Sequence, residues 1–254
     1  MASPPKIVMV SYLNSKPFEL GLHQHQATAE YDIILAHPAE CATLFRDGEA
    51  DIALLPSGAL HELSGYTIIS DYCIGCDGEV RTVCVYSNEK LEHCKRLILD
   101  AHSMTSVLLA RLILEKYYHI KVEMITANIS QHEVRKGDAI LMIGDKVFGY
   151  ESDFLYKYDL GAIWKQWTGL PFVFAVWVAR EGILSDRLDS ILNEAFQYGL
   201  SKLPAIIKSE SQDNLDLYYY FSNNIQYHFD DNKKEGLQLF LAKSAEYFPE
   251  AILD

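Results

Sequence analysis

The stretch RDGEADIALLPS, residues 46–57, decides the fold class of this chain. It completes the helical pattern PAECATLFRDG, which opens with Pro38 and closes with Gly48, the residue types favoured at a first helical turn and just past a helix end. A short apolar run follows and is broken by Pro56, as expected of a buried strand. The upstream runs KIVMV and YDIILAH also have strand character. This alternation predicts an α/β fold with a mostly parallel sheet.

A second stretch, RKGDAILMIGD at residues 135–145, repeats this order of elements. Gly137 follows a short predicted helix, and the buried strand after it is broken at Gly144 and Asp145. We interpret the two stretches as one unit used once in each of two lobes. The alternative is that helix, glycine and strand recur in any α/β protein, and the residues alone leave it open.

Two further apolar runs, EVRTVCVYSNE at residues 79–89 and PFVFAVWVARE at residues 171–181, have the pattern of strands that cross between lobes. Two crossings return the chain to its first lobe. The expected lobes are therefore residues 1–87 plus 179–254 for the first and residues 88–178 for the second. The remaining tail has helical spacing of apolar residues and should pack on the first lobe.

Composition excludes several classes of protein. The chain has 254 residues, 49% of them hydrophobic, so it is long enough to form a sizeable core. Its formal net charge of −13 argues against nucleic acid as a partner, because phosphate binding requires a basic surface. The start, MASPPKIVMV, lacks the apolar region of a signal peptide, and no run reaches the roughly 18 apolar residues of a membrane span. We expect a soluble, cytoplasmic protein with no membrane partner.

The five cysteines favour reduced thiols, since an odd number without an export signal does not suggest a disulfide framework. Cys73 and Cys76 form a CxxC pair, but neither a second pair nor a nearby histidine completes a zinc set. We therefore interpret them as packing residues and predict no metal site.

The segment SYLNSKP ends the first apolar run and offers Ser11 and Asn14 to a crevice between the lobes. Asparagine has donors and an acceptor on a short arm, and the carboxyl end of a strand is where α/β folds bind ligands. Pro17 should force a rigid turn that orients the Asn14 side chain toward the crevice. The alternative is that the Asn14 side chain only bonds the backbone of its own turn.

Three hydroxyl residues, Ser103, Thr105 and Ser106, stand immediately before a long apolar helical pattern. The unpaired N–H groups and the dipole of a helix start, surrounded by hydroxyls, favour a carboxylate or phosphate ligand. The alternative is simple N-capping by Ser103, which needs only one hydroxyl. These residues therefore indicate a substrate-binding site for a small anion.

Two other segments should face the same crevice. EVRTVCV offers Arg81 and Thr82, and MIGDKVF offers the backbone N–H groups of Gly144 and Asp145. The Asp145 side chain has the pattern of a helix cap more than that of a general base.

Conventional catalytic motifs are absent from the sequence, which has no GxSxG, Walker loop, HExxH or GxGxxG after a strand. His37 and His102 each precede a predicted helix, where a lone histidine is usually a structural hydrogen-bonding group. The residues alone thus indicate a two-lobed binder of a small anion, and its catalytic groups are unknown.

Six blocks together resemble the MqnA family of menaquinone biosynthesis, the chorismate dehydratases of the futalosine route. They are VSYLNSKPF, LFRDGEADIALLPS, VRTVCVYS, LDAHSMTSVLLARLIL, AILMIGDKV and YDLGAIWKQWTGLPFVFAVWVAR. The resemblance runs from about residue 7 to about residue 180 and implies a two-lobed type II periplasmic-binding-protein-like fold with two crossing strands. It also implies a lyase that removes water from chorismate to give 3-[(1-carboxyvinyl)oxy]benzoate, with no metal or organic cofactor.

The resemblance places Asn14 and Thr82 on a substrate carboxylate. Thr82 departs from the family pattern, in which serine is usual, and its additional methyl group narrows the pocket. His102 and Met104 also stand where small or basic residues are expected. No side chain is an obvious base, so we hypothesise that the side-chain carboxylate of the substrate itself removes the proton.

Two other functions are compatible with this fold. One is a cytoplasmic small-anion-binding or sensor module without turnover, since folds of this type mostly serve binding. The other is the sister enzyme of the same pathway that releases dihydroxynaphthoate, although that enzyme opens with a motif different from SYLNS.

Overall fold

The computed structural model describes residues 5–99, 104–127, 134–149, 153–183, 185–210 and 216–248, which form two sheets with flanking helices. The strands of the first sheet are β1 (Lys6–Val10), β2 (Asp32–Ala36), β3 (Ile52–Pro56), β4 (Tyr66–Cys76), β10 (Phe172–Arg180) and β11 (Gln226–His228). Those of the second are β5 (Val83–Ser87), β6 (Arg96–Leu99), β7 (Glu123–Thr126), β8 (Asp138–Ile143) and β9 (Tyr156–Asp159). The two-lobed α/β fold is confirmed.

The helices pack around these sheets and alternate with the strands. They are α1 (Lys16–Gln24), α2 (Pro38–Arg46), α3 (Met104–Leu112), α4 (Leu160–Thr168), α5 (Asp186–Ser201), α6 (Leu203–Glu210), α7 (Leu217–Tyr219) and α8 (Asp231–Ser244). Helix α2 has the predicted bounds, with Pro38 in its first turn and Gly48 just beyond its end at a φ of 84°. Helix α3 continues into a π turn, Ile113–Tyr117, as the long apolar pattern predicts. Most of the short helix predicted before Gly137 falls on residues outside the described ones, and residues 134–136, which are described, are not helical.

The expectation of a mostly parallel sheet was wrong. The first sheet has the order β11-β4-β10-β3-β1-β2 and the second the order β7-β6-β8-β5-β9. Parallel pairing joins β1 to β2 and β3, and β6 to β7 and β8, while the other observed pairings are antiparallel. Helical crossovers inside one lobe give parallel neighbours, whereas the strands that enter from the other lobe run in the opposite direction.

The chain passes between the sheets in two places. The first lies between the end of β4 at Cys76 and the start of β5 at Val83, and the second lies between β9 and β10. The two strands that were predicted to cross, β5 and β10, are each the first strand after a passage. Sheet membership therefore changes earlier than residues 87 and 178, and the extent of the lobes as folding units stays a prediction.

The tail packs on the first lobe through an unusually close contact between α1 and α5. A Cβ atom added to Gly199 would lie 1.8 Å from the carbonyl oxygen of Pro17, and one added to Gly21 would lie 2.1 Å from that of Ala195. Only glycine allows this approach of two helix backbones. Pro17 lies in the first turn of α1, so the rigid turn expected there is instead a helix start.

All five cysteines are buried as free thiols, which agrees with the interpretation of Cys73 and Cys76 as packing residues. Burial raises the pKa of the Cys41 thiol to about 12, so it stays protonated at neutral pH. None of the described helices is both long and apolar enough to cross a membrane.

Candidate functional site

A cavity with an empty volume of about 570 Å³, open to solvent, lies between elements of the two sheets. Its polar groups come from Tyr12, Asn14, Thr82, Thr105 and Ser106, together with the backbone of Gly144. The rest of the lining is largely apolar and includes Val10, Pro38, Pro56, Ile143 and Phe174. A hydrophobic pocket with a few convergent polar groups is typical of small-molecule sites.

The other residues that were predicted to bind the substrate are not found in the described lining of the cavity. Ser11 is exposed, is not among the described lining residues, and donates its backbone N–H to the carbonyl of Ala36 at 3.2 Å. Ser103 and His102 lie outside the described residues. Asp145 follows Gly144 in a 3-10 turn, and its side chain is outside the described part of the structure.

Asn14 lies in a single 3-10 turn, Leu13–Ser15, between β1 and α1. The backbone of this turn is bonded by Ser15, whose hydroxyl accepts from the N–H of Tyr12 at 3.1 Å and donates to the carbonyl of Val10 at 2.6 Å. The Asn14 side chain makes neither bond. Its Oδ1 is buried without a hydrogen-bond partner among the described residues, so this amide is available to a ligand in the cavity.

The backbone of Asn14 is held from the far end of the chain. The hydroxyl of Tyr227 on β11 donates to the carbonyl of Asn14 at 2.8 Å. Burial raises the pKa of Tyr227 well above its usual value of 10, so the phenol remains a donor at physiological pH. Its ring packs edge-on against Phe18 of α1, with the centroids 5.3 Å apart.

Thr82 occupies the first passage between the sheets and is only 1% exposed. Its hydroxyl lies 3.3 Å from the hydroxyl of Tyr220, in the π turn Tyr220–Asn224 of the tail. Its carbonyl accepts the N–H of Gly144 at 2.8 Å. The Gly144 N–H, one of the two groups that MIGDKVF was predicted to offer, thus has a protein partner and extends the pairing between β5 and β8.

Thr105 links the start of α3 to the first lobe. Its hydroxyl accepts from the N–H of Gly58 at 3.0 Å and donates to the carbonyl of Phe174 at 3.3 Å. Both Thr105 and the neighbouring Ser106 are buried in the cavity wall. The Thr105 hydroxyl therefore has protein partners, and it connects the start of α3 to Gly58 and to β10.

Asp159, at the end of β9, organises the first passage between the sheets. Its Oδ1 accepts from the N–H groups of Ala162 at 2.9 Å and Val80 at 3.1 Å, and its Oδ2 accepts from the N–H of Arg81 at 2.6 Å. Burial raises the pKa of this carboxyl above its usual 3.8, although the three N–H groups act in the opposite direction. Arg81 has a positive φ of 67°, and its guanidinium lies over the ring of Phe148 at 5.2 Å.

Sequence reasoning missed Asp159, Tyr220 and Tyr227. Asp159 could have been found, because aspartate directly before the helical pattern LGAIWKQWT is a capping signal. The tyrosines had no such signal, since their segment LDLYYYFSNNIQYHF has the apolar content of packing residues. His37 is exposed at the start of α2, and the described residues contain no group of three or more metal-ligating side chains.

Known proteins resemble the chain over nearly all of its length. A family model described as menaquinone biosynthesis matches residues 5–246. A chorismate dehydratase of Thermus thermophilus is 27% identical over 265 residues, covering 89% of this chain and 94% of that protein.

Two solved structures show the fold alone. A protein from Archaeoglobus fulgidus superposes with a TM-score of 0.69 at 14% identity, over 98% of each chain. A Candida albicans protein described as having the generic periplasmic binding protein fold superposes with a TM-score of 0.66 at 12% identity, over 100% of this chain and 92% of the other.

Proposed function

The chain belongs to the menaquinone biosynthesis family, and on this basis we propose that it is a cytoplasmic chorismate dehydratase. Such an enzyme is a carbon–oxygen lyase, and it converts chorismate to 3-[(1-carboxyvinyl)oxy]benzoate and water, as the futalosine route requires. The Thermus thermophilus relative supports this assignment by its name and its coverage of the chain. The structural observation that supports it most is the Asn14 side chain, which lines a largely apolar cavity and whose buried Oδ1 has no partner among the described residues. The Nδ2 group of the same amide is the donor that can bind a carboxylate.

The chemistry requires few protein groups. The ring carbon that bears the enolpyruvyl ether loses a proton, and the electron pair is delocalised through the adjacent double bond toward the ring carboxylate. The neighbouring carbon then expels its hydroxyl group, which leaves as water with the proton, and the ring becomes aromatic. Because aromatisation favours the product, the enzyme has to stabilise the charge that develops on the carboxylate and exclude bulk water.

The cavity provides neutral groups suited to those tasks. The Asn14 amide can donate to the ring carboxylate, and Thr82, in the first passage between the sheets, adds a hydroxyl residue to the lining of the same cavity. Ser106 adds a buried hydroxyl to the same wall, while apolar residues such as Phe174 form most of the rest. Neutral donors that strengthen as charge accumulates favour the transition state over the ground state.

The proton acceptor in this proposal is the side-chain carboxylate of the substrate, folded over the ring inside the cavity. Among the described lining residues no histidine, carboxylate or lysine is present, which supports a substrate-assisted step. Replacing Asp145, His37 or His102 singly by a neutral isostere tests it. A loss of about a thousandfold or more in kcat from any one replacement, with binding intact, would identify a protein base instead.

The decisive experiment is to incubate the purified protein with chorismate and follow the product by mass. We expect loss of one water and the appearance of an aromatic benzoate, with a fall of about a hundredfold or more in kcat for Asn14→Ala. If chorismate binds but is not converted, the protein is instead a small-anion-binding or sensor module without turnover, which is the alternative function compatible with this fold. If chorismate neither binds nor reacts, the proposed substrate is wrong.

A further inference from the structure

Arg81 has a backbone conformation that its residue type disfavours. Its φ of 67° lies in the left-handed region, which side chains with a Cβ adopt at a cost and glycine adopts freely. The residue lies in the passage between β4 and β5, immediately before Thr82. A non-glycine residue in this region persists only when its surroundings hold it there, and such residues cluster at functional sites.

The group that holds Arg81 is the buried carboxylate of Asp159. Its Oδ2 accepts the Arg81 N–H at 2.6 Å, a short charge-assisted bond, and its Oδ1 accepts the neighbouring Val80 N–H at 3.1 Å. The same Oδ1 caps α4 through the N–H of Ala162. One side chain therefore fixes two consecutive amides of the passage against a rigid helix.

This conformation determines what the passage presents to the cavity. The Arg81 guanidinium lies over the Phe148 ring at 5.2 Å, while Val80 and Thr82 on either side line the cavity. The Thr82 hydroxyl is then 3.3 Å from that of Tyr220. A change of φ at Arg81 would rotate the peptide that leads directly to Thr82 and would move its hydroxyl.

We infer that Asp159 is a positioning residue, which holds Arg81 in the left-handed conformation so that the Thr82 hydroxyl faces the substrate. This inference rests on the proposed function, because the rate of the proposed reaction is the property that should depend on the position of the Thr82 hydroxyl. Asp159 is not among the residues that line the cavity, and its effect on Thr82 passes through the amides of the passage.

Asp159→Asn alters the Oδ2 position, which accepts from the Arg81 N–H at 2.6 Å and from the Cys84 thiol at 3.6 Å. In the amide orientation that preserves both bonds of Oδ1, the new NH₂ group faces the Arg81 N–H, and two donors then oppose each other. We expect kcat on chorismate to fall about tenfold or more, with a smaller change in KM. Ser185→Ala, which removes the cap of α5 by deleting a bond to the N–H of Leu188, is the matched control and should retain kcat within about twofold.

A double-mutant cycle separates positioning from simple helix capping. Glycine adopts φ = 67° without strain, so in an Arg81→Gly background the Asp159 bond is no longer needed to hold that conformation. Asp159→Asn should cost less than about threefold in kcat in that background, compared with tenfold or more in the wild type. An equal cost in both backgrounds would overturn the inference.

The wild-type protein gives a test that does not depend on turnover. In a ¹⁵N-labelled sample the Arg81 amide proton should resonate downfield and exchange slowly, and Asp159→Asn should remove both properties. Fast exchange of this amide in the wild type would overturn the inference even if chorismate is converted. Conversely, a protected Arg81 amide in a protein that does not convert chorismate would contradict the proposed function while supporting the role of Asp159.

Discussion

The hydroxyl of Tyr227 donates a 2.8 Å hydrogen bond to the main-chain carbonyl of Asn14, which is 213 residues earlier in the chain. A tyrosine on the last strand of the first sheet thus supports the turn that follows its first strand. Tyr227→Phe keeps the ring contact with Phe18 but leaves this carbonyl without its donor. We expect a loss of about 1–3 kcal/mol in the free energy of unfolding and a lower kcat on chorismate.

Tyr72→Phe is the matched control for Tyr227→Phe. The Tyr72 ring packs against the same aromatic cluster, 6.3 Å from Phe18 and 6.0 Å from Phe196, but the described hydrogen bond to the Asn14 carbonyl comes from Tyr227. Urea unfolding and steady-state kinetics of both variants should separate the two tyrosines. Equal losses of stability and of kcat in the two variants would mean that the hydrogen bond to Asn14 has no specific effect on either property.

Thr105→Val should weaken the connection between the lobes. The replacement keeps the shape of the side chain but removes the hydroxyl that bonds the N–H of Gly58 and the carbonyl of Phe174, leaving two main-chain groups unpaired. We expect the free energy of unfolding to fall by about 1–3 kcal/mol. Thr43→Val on the exposed surface of α2 is the control, and chemical denaturation should show only a small change for it.

Gly199→Ala should separate α1 from α5, because its new Cβ would lie 1.8 Å from the carbonyl oxygen of Pro17. One backbone must move, and we expect a loss of at least about 1–3 kcal/mol in the free energy of unfolding. Since Pro17 follows the Asn14 turn, substrate affinity should fall as well. Ser190→Ala, at an exposed position of the same α5 helix, should change neither property in thermal unfolding and binding measurements.

Asp230→Asn should make the free energy of unfolding less dependent on pH in the acidic range. Burial alone would raise the pKa of Asp230, but the Lys233 ammonium at 2.6 Å and the Lys233 N–H bring it below the usual 3.8. A depressed carboxyl pKa stabilises the fold at pH values above the unfolded pKa, and this contribution is lost as the pH falls through the folded pKa. The variant should therefore be less stable than the wild type at pH 7, and the difference should shrink below about pH 4.

The neighbouring pair provides the control for Asp230. Asp231 and Lys234 are 3.3 Å apart on the surface, whereas Lys233 is only 3% exposed. Asp231→Asn should leave the urea midpoint unchanged across the same pH range, since exposed ion pairs contribute little. A pH-independent difference between wild type and Asp230→Asn would show that the Lys233 pair does not affect acid stability.

Local signals in the sequence predicted local structure well. Pro38 and Gly48 bound α2 because a proline at a helix start and a glycine after its end act through their own backbone preferences. Asn14 was placed at the cavity because the end of a parallel strand is a binding position whatever the rest of the fold does. Both inferences depend only on a few neighbouring residues.

Partners that lie far apart in the chain were not predictable in the same way. The bond from the Gly144 N–H to the Thr82 carbonyl is one such case, because nothing near Gly144 in the sequence reveals this acceptor. Tyr220 and Tyr227 reach the site only because β11 pairs with β4 and brings the tail against the first lobe. The direction of the strands that return from the second lobe likewise follows from topology and not from periodicity.

The position of β10 also affects how the protein is made. In the finished sheet it lies between β3 and β4, and the observed partners of β4 are β10 and β11, both of which follow much later in the chain. On the ribosome, β4 (Tyr66–Cys76) is therefore synthesised long before either of its partners. Until Phe172–Arg180 emerges, the nascent chain exposes unpaired strand edges, which are surfaces that chaperones protect and that promote aggregation when left uncovered.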